Sequence, residues 1–293
     1  MTRFRDAQII LLRGGLGNQL FQIAMGLAIE REFKKKILFS DLMLYETPFS
    51  RKLHRENWAS FLGLKLHKNE CRVLRLFRRL IFSAIHVLSH RKRHRVEVGE
   101  FILSSPHSEP ASGIGLTHRW LDLPAIQLGE EDQAYLQVRK LLDQQSDVRV
   151  SKLADSLGPF VAIHLRVGDY VQLKDIYGEI SPRYLANALS LIRSEFGINP
   201  PVVLFCENKL QLSSQALFAL GDYRLAGDFL NSDWQEFNLL RKGAAIVGCN
   251  SSFSWWAAKT SDARLIVFPD ELKGPPLLLP QNYHASNWKK VAD

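Results

Sequence analysis

The hydrophobic positions of this chain fall into short apolar runs that alternate with stretches of helical spacing. In the first half, residues 8–12 have the pattern of a buried strand, which Gly14 and Gly15 stop. Apolar residues then recur at helical spacing across 20–29, and residues 36–39 form a second strand-like run. The amino-terminal part of the chain therefore predicts a β-loop-α-β unit.

The same alternation returns in the second half of the chain. Ser181 and Pro182 form the cap and first turn of a predicted helix that ends at Gly197. Further predicted helices cover 210–220 and 234–242. The apolar runs that predict strands are 160–165, 201–206, 223–226, 244–248 and 265–268. This order of elements predicts an α/β fold built from two doubly wound, Rossmann-like domains.

A domain boundary is predicted near Gly158, where a polar helix over residues 130–145 has ended and a new strand is about to begin. The domains are then residues 1–157 and 158–293, and we expect the ligand in the cleft between them. The tail at 273–280 holds too many prolines for regular structure, and we expect it to lead the last residues back across the first domain.

Composition indicates a folded protein with an excess of positive charge. Of the 293 residues, 46% are hydrophobic and 23% are charged, and the net charge is +8. This is typical of a globular protein large enough for two cores. The three cysteines share no metal-like spacing, which favours a reducing compartment. The sequence shows neither a signal-peptide core nor an apolar run of membrane-spanning length, so we predict a cytoplasmic protein.

The positive charge is concentrated between residues 72 and 95, where Arg and Lys residues flank the apolar run 80–88. This pattern is typical of an amphipathic helix lying on an anionic membrane, here the inner face of the plasma membrane. It is also typical of a solvated helix whose apolar side lies in the core. His86, His90 and His94 share one helical face, but cations surround them and that face has no carboxylate, so we do not predict a metal site.

Polar and glycine residues follow the predicted strands at four places, and open α/β sheets bind their ligands at such strand ends. The first place is the turn 14–19, with the sequence Gly-Gly-Leu-Gly-Asn-Gln. Gly15 and Gly17 allow close approach of the backbone to a ligand, and Asn18 and Gln19 can donate amide hydrogen bonds from the start of a helix. The turn lacks dinucleotide or P-loop spacing, so an ordinary tight turn is the alternative.

The second and third places follow the first two predicted strands of the second half. Strand alternation puts His164 and Arg166 on one face, where an arginine can bind a diphosphate through two hydrogen bonds. An ion pair of Arg166 with Asp169 across a loop is the alternative. Cys206-Glu207-Asn208 fits either a ligand contact through Glu207 or an ordinary turn.

The fourth place is the segment 250–258, with the sequence Asn-Ser-Ser-Phe-Ser-Trp-Trp-Ala-Ala. It sets Asn250, Ser251 and Ser252 between an apolar strand and a helix, where amides, hydroxyls and the helix dipole can converge on an anion. A serine-rich cap over a tryptophan core is the alternative. On the preceding helix, Glu236 can accept two hydrogen bonds from the N1 and N2 edge of a guanine.

Three of these motifs resemble those of glycosyltransferase family 11, the α-1,2-fucosyltransferases of bacteria and animals. They are residues 14–22, 164–170 and 250–258, and they occur in the family's order across nearly the whole chain. The resemblance implies a GT-B fold, with an acceptor-side first domain and a GDP-sugar-binding second domain facing a central cleft. It also implies GDP-β-L-fucose as the donor substrate, inversion at the anomeric carbon, and no cofactor or required metal.

The resemblance further implies roles for individual residues. Arg166 binds the β-phosphate and stabilises the departing GDP, and Asn18 faces the pyrophosphate and fucose. For the base that deprotonates the acceptor, Asp169 is the first candidate and Glu179 the second. The full candidate nucleotide-binding set is Gly15, Gly17, Asn18, His164, Arg166, Glu207, Glu236, Asn250, Ser251, Ser252 and Phe253.

The implied acceptor is a galactose-containing oligosaccharide of a surface glycan such as O-antigen, and a lipid-linked acceptor would bring residues 72–95 to the membrane.

Two departures from the family's motifs leave another GDP-sugar possible as the donor. Val167 stands where many members carry a second arginine, and 206–208 replaces a Ser-Asp-Asp. The sequence contains no Asp-x-Asp pair, which disfavours a metal-dependent GT-A enzyme. A nucleic-acid binder is suggested by charge alone, but no aromatic-interleaved basic stripe supports it, and no nucleic-acid partner is predicted.

Overall fold

The protein is described here by a computed structural model, which divides it into two units. The first is residues 1–145 with 280–282, and the second is residues 146–279 with 283–293. Each unit contains its own sheet and its own packed helices. The described residues are 7–45, 55–67, 77, 80, 114–117, 120–122, 133–166, 180–197, 199–207, 212–270 and 285–292.

The first unit contains a four-stranded sheet in the order β2-β1-β4-β3. Strand β1 is parallel to β2 and β4, and β3 runs antiparallel to β4. The predicted β-loop-α-β unit is confirmed, whereas the β3–β4 pair was not predicted. The described elements are β1 (Ala7–Leu11), α1 (Leu16–Phe33), β2 (Lys36–Ser40), α2 (Trp58–Phe61), β3 (Ile114–Thr117), β4 (Trp120–Asp122) and α3 (Gln133–Gln144).

The second unit contains the larger sheet, and its predicted strands are all present. Its helices are α4 (Val148–Leu157), α5 (Pro182–Phe196), α6 (Ser214–Leu220), α7 (Asp233–Arg241) and α8 (Ser252–Lys259). Its strands are β5 (Val161–Leu165), β6 (Val202–Cys206), β7 (Tyr223–Leu225), β8 (Ala245–Val247), β9 (Leu265–Pro269) and β10 (Lys289–Val291). The prediction of an α/β fold is confirmed.

The six strands of the second unit are all parallel and lie in the order β10-β9-β8-β5-β6-β7. Numbered from the start of the unit, this is the order 3-2-1-4-5-6 of doubly wound, Rossmann-type sheets. The chain builds outward from β5 in one direction, then returns to β8 and builds outward in the other. The strand order therefore reverses between β5 and β8, and their carboxyl ends border the crevice where such sheets bind ligands.

Helix α5 shows how the sequence produces this packing. Ser181 caps it by accepting the N–H of Tyr184 at 3.0 Å, Pro182 occupies its first turn, and Gly197 ends it at φ +65. Its apolar stripe packs against alternate residues of the central strands, as the buried cluster shows. Strand β5 is buried along its whole length, because it is covered on both faces as parallel sheets are.

The prediction of the domain boundary needs correction. The boundary lies between Gln145 and Ser146, twelve residues before the predicted one, because α4 belongs to the second unit. At the start of α4, Asp147 accepts the side-chain amide of Gln235 at 3.2 Å, and Arg149 donates to the carbonyl of Phe229 at 3.5 Å.

The return of the tail to the first domain stays a prediction, because the tail residues grouped with the first unit, 280–282, lie outside the described residues. The last described residues, 285–292, supply β10, which pairs in parallel with β9. The proline-rich segment at 273–280 lies outside the described residues.

The basic segment at 72–95 also lies outside the described residues, apart from Phe77 and Leu80, and so do the histidines at 86, 90 and 94. Within the part of the chain that the structure describes, no helix combines the length and apolar character needed to cross a membrane.

Candidate functional site

The reversal point of the second sheet brings together two of the polar motifs predicted from the sequence. His164 lies at the carboxyl end of β5, and Arg166 directly follows that strand. On the other side of the crevice, β8 leads through 248–251 into the amino terminus of α8. Sequence separates these two motifs by more than 80 residues, and the parallel pairing of β5 with β8 makes them neighbours.

The turn after β8 is held in one conformation by three contacts of Gly248. Its N–H donates to the carbonyl of Val267 at 2.9 Å, and its own carbonyl accepts the hydroxyl of the buried Tyr184 at 2.8 Å. A Cβ atom at Gly248 would overlap the ring of Phe268. Only glycine fits here, so the start of the turn is fixed by packing against β9 and α5.

The serines of the turn divide into structural residues and residues near the surface. Ser251 is buried and caps α8, because its hydroxyl accepts the N–H of Phe253 at 3.3 Å. Ser254 is also buried, and its hydroxyl lies 3.1 Å from the carbonyl of Ser251 and 3.3 Å from that of Cys249. Asn250 and Ser252 remain half-buried. Ser251 therefore caps α8, and its predicted contact with a phosphate stays a prediction.

His164 is a neutral, buried side chain on the β5 side of the crevice. Burial, and to a smaller extent the charge of Arg166, lowers the pKa of His164 to about 3. Its Nδ1 lies 3.4 Å from the sulfur of Cys249, and its ring lies 5.1 Å from that of Phe253, centroid to centroid. At neutral pH this imidazole can donate one hydrogen bond and accept another.

Aromatic rings form a wall beside this histidine. Phe253 is half-buried and meets Phe237 of α7 edge to face, with 5.3 Å between centroids. Phe237 in turn stacks on Trp234 at 6.0 Å. Trp255 and Trp256 of α8 are also buried. The wall is apolar, and the polar groups of the crevice lie at the ends of the strands.

Two acidic residues from the candidate set influence one another electrostatically. Glu236 is half-buried on the first turn of α7, and burial, followed by the charges of Asp233 and Glu207, raises its pKa to about 7. Glu207 is exposed just after β6. Glu236 therefore changes between the neutral and ionised forms near physiological pH.

The glycine turn of the first unit lies between β1 and α1. Gly14 has φ +77, and a Cβ atom there would meet the amide nitrogen of Asn18 at 2.7 Å. Gly15 is the cap position of α1 and offers no side-chain hydrogen bond to it, whereas Gly17 is buried in the first turn. Asn18 is exposed.

Gln19 does not fit its predicted role as a ligand donor. It is fully buried, and its amide donates to the carbonyls of Gly14 at 2.9 Å and Glu56 at 2.8 Å. Its oxygen accepts the N–H of Trp58 at 3.0 Å. These three bonds use the side chain to tie the turn to the start of α2, so Asn18 is the amide left at the surface.

Several predicted residues lie outside the described ones, so their roles stay predictions. They are Val167, Asp169, Glu179 and Asn208. In the described residues, no three His, Cys, Asp or Glu side chains are placed together to hold a metal ion. The sequence analysis gave neither Cys249 nor Tyr184 a role in the site, although both contact the reversal point. Position at a strand end was a usable signal for Cys249, whereas the sequence around Tyr184 carries none.

Comparison with known proteins gives a consistent set of similarities. Residues 131–271 match the model of the family Glycosyl transferase family 11. A Galactoside alpha-(1,2)-fucosyltransferase 1 from Leontocebus fuscicollis is 30% identical over 118 residues, which are 38% of this chain and 31% of that protein. This chain thus matches about a third of the length of that curated relative.

Two solved fucosyltransferase structures also match this chain at low sequence identity. The fucosyltransferase NodZ from Bradyrhizobium is 14% identical, with 92% of this chain and 99% of that chain covered and a TM-score of 0.46. POFUT1 in complex with GDP-fucose is 12% identical, with 91% and 98% covered and a TM-score of 0.46. The region matched by the family model contains all of β5 to β8 with the reversal point between them. Through residues 131–271, this chain is similar to glycosyltransferase family 11.

Proposed function

We propose that this protein is a GT-B glycosyltransferase that moves L-fucose from GDP-β-L-fucose to a hydroxyl of a galactoside, forming an α-1,2 linkage. The observation that carries the proposal is that the family match covers the crevice formed by β5, β8 and α8. The name of the mammalian relative supports the linkage and the galactoside acceptor. This crevice combines a cation, a helix amino terminus and an aromatic wall, which suit a nucleotide diphosphate.

The donor binds with its diphosphate between Arg166 and the amino terminus of α8. Arginine can donate two parallel hydrogen bonds to phosphate oxygens, and the helix dipole favours negative charge at the first turn. Ser251 shapes this turn, because its hydroxyl oxygen accepts the N–H of Phe253 in the cap. His164 and Phe253 border the nucleotide from the side of the aromatic wall, and the family resemblance assigns Asn18 a contact with the sugar.

The guanine end of the nucleotide lies toward α7. The carboxylate of Glu236 accepts hydrogen bonds from the N1 and N2 edge of guanine, which adenine cannot offer. The ionised form is required for this contact, so the raised pKa of Glu236 makes binding of the base depend on pH near 7. Glu207, which is exposed just after β6, lies at the same guanine end of the site.

Transfer proceeds with inversion, without a metal or cofactor, and depends on electrostatic stabilisation of the leaving group. Negative charge develops on GDP as the sugar leaves, and Arg166 with the amides of α8 neutralises it in place. The base that deprotonates the acceptor hydroxyl is Asp169, with Glu179 as the alternative.

The acceptor is a galactose-containing oligosaccharide of a surface glycan, carried on a lipid at the inner face of the plasma membrane. Phe77 and Leu80 support the membrane contact, because they are 63% and 56% exposed, helical and three residues apart on one face. Basic residues surround them in sequence. This location makes the protein cytoplasmic and peripheral to the membrane.

The membrane contact is tested separately from catalysis by flotation with neutral and with anionic vesicles. Replacing Arg91, Lys92, Arg93 and Arg95 by serine should weaken binding to anionic vesicles while leaving hydrolysis of the donor intact. If the wild type and this variant bound anionic vesicles equally, the proposed membrane contact would be refuted.

The enzyme function is tested by incubating the wild type with a β-galactoside and either GDP-fucose or GDP-mannose, with and without EDTA. We expect fucose on the 2-hydroxyl of galactose, an inverted anomer in the product, and no loss of rate in EDTA. Preference for another GDP-sugar, which the departures at Val167 and Cys206-Glu207-Asn208 allow, would retain the fold and change the donor. Failure with every GDP-sugar would overturn the proposal.

A further inference from the structure

Cys249 lies where the elements of the crevice meet, although it belongs to none of the motifs that predicted the site. It is the second residue after β8 and is buried. Its sulfur accepts a hydrogen bond from the backbone N–H of Arg166, and it lies 3.4 Å from Nδ1 of His164 and 3.9 Å from the hydroxyl oxygen of Ser254. One thiol therefore contacts β5, the residue after β5, and the first turn of α8.

The hydrogen of this thiol has one favourable acceptor. Burial raises the pKa of Cys249 to about 11, so the sulfur keeps its hydrogen at neutral pH. The Ser254 oxygen is farther away and already accepts the backbone N–H of Cys249 at 3.4 Å. His164 is closer, and as a neutral imidazole it has one nitrogen free to accept.

The direction of this hydrogen bond determines which nitrogen of His164 carries the proton. If Nδ1 accepts from the thiol, the ring hydrogen must be on Nε2. The opposite tautomer would place N–H toward a sulfur that already accepts from Arg166, and would leave Nε2 with only a lone pair. A lone pair repels the oxygen atoms of a nucleotide diphosphate, whereas an N–H group attracts them.

We propose that Cys249 is a positioning residue whose thiol donates to Nδ1 of His164, which fixes the imidazole as the Nε2–H tautomer and prepares it to donate a hydrogen bond to an oxygen of the bound nucleotide. The tautomer follows from the described contacts alone, and the hydrogen bond to the nucleotide rests on the proposed function. Cys249 does not contact the nucleotide in this account. It acts through His164.

The tautomer is measured in the unliganded protein by long-range proton–nitrogen NMR correlation with labelled histidine, which distinguishes protonated from unprotonated ring nitrogens. The chain has nine histidines, and a His164→Gln variant identifies the signals of His164. We expect wild-type His164 to be neutral with its hydrogen on Nε2.

The Cys249→Ser variant should keep the Nε2–H tautomer because a hydroxyl also donates, and Cys249→Ala should give a mixture of tautomers. Cys206→Ala, which removes the thiol at the end of β6, is the matched control and should leave the His164 signals unchanged.

Binding of GDP to the same proteins tests the second half of the proposal. Loss of one oriented hydrogen bond should weaken binding about threefold to tenfold in Cys249→Ala, with recovery in Cys249→Ser. A hydrogen on Nδ1 in the wild type, or an unchanged single tautomer in Cys249→Ala, would overturn the proposal. If wild-type protein has the Nε2–H tautomer but does not bind GDP, the assignment of the tautomer stands while the nucleotide contact and the proposed function both fall.

Discussion

The two polar turns of this protein look alike in sequence and differ in how they are built. One follows β1 and the other follows β8, and each leads a parallel strand through glycine and polar residues into a helix. In the first turn, α1 begins at a glycine with no side-chain cap, and a buried glutamine joins the turn to α2. In the second, Ser251 caps α8, and the turn is held by Tyr184 and Phe268 from neighbouring elements.

The difference shows that a polar motif mixes residues that build a site with residues that remain available to a ligand. In the first turn Gln19 is used internally and Asn18 is exposed. In the second, Ser254 and Ser251 are used internally and Ser252 is half-buried. Pairs of substitutions at adjacent or equivalent positions can therefore separate stability from ligand binding.

The largest contrast is expected between Gln19→Ala and Asn18→Ala. The change at Gln19 removes three hydrogen bonds and leaves the buried N–H of Trp58 without its acceptor, so the free energy of unfolding should fall by about 3 kcal/mol. The change at exposed Asn18 should alter it by less than about 0.5 kcal/mol and should reduce fucose transfer. Urea denaturation and a transfer assay measure the two effects, and equal stability loss in both variants would refute the division.

A second contrast compares the glycines of the two turns. Gly248→Ala introduces a methyl group that overlaps Phe268, and the free energy of unfolding should fall by about 2 kcal/mol. Gly15→Ala meets no atom within 4 Å and keeps an allowed φ of −77, so its effect on stability should stay within about 0.5 kcal/mol. Thermal unfolding of both variants tests this, and a stable Gly248→Ala protein would show that the second turn can relax.

The serines of the second turn give a smaller contrast. Ser254→Ala removes a buried hydroxyl that contacts two backbone carbonyls and accepts one N–H, which should lower the free energy of unfolding by about 1 kcal/mol. Ser252→Ala changes a half-buried residue and should have little effect on stability. Should Ser252→Ala prove the less stable variant, the assignment of structural and available serines would be reversed.

The last prediction concerns pH. The pKa of Glu236 rises from 4.5 in the unfolded chain to about 7 in the folded protein, mainly because of burial. The folded state therefore retains a proton that the unfolded chain releases, and the stability this residue contributes is complete below about pH 4.5 and lost as the pH rises toward 7. Glu236→Gln should flatten the decline in unfolding free energy across this range, measured by urea denaturation at stepped pH. If the unfolding free energy of the variant declined with pH as steeply as that of the wild type, another group would be responsible for the decline.

The sequence predicted the strands and helices of the second unit well because apolar runs and caps are local signals. Strand β5 could be predicted from the apolar run at 160–165 without knowledge of any distant contact. The same holds for α5, whose limits are marked by Ser181, Pro182 and Gly197. Local signals could not predict whether an individual polar residue is buried in internal hydrogen bonds or left available to a ligand. Gln19 bonds to a residue 39 positions away, and Tyr184 to carbonyls 64 and 83 positions away, so their roles depend on the tertiary structure. The domain boundary failed for the same reason, since α4 is assigned by its distant partners.

The central claim is that the reversal point between β5 and β8 binds a guanosine diphosphate through Arg166. Its most direct test is calorimetric titration of GDP into the wild type, Arg166→Ala and a control, Arg224→Ala, which removes an exposed arginine on the edge strand β7. We predict that the wild type and the Arg224→Ala control bind GDP with similar affinity, and that Arg166→Ala binds at least about 100-fold more weakly because it loses two charge-assisted hydrogen bonds. Equal affinity in wild type and Arg166→Ala would contradict the claim.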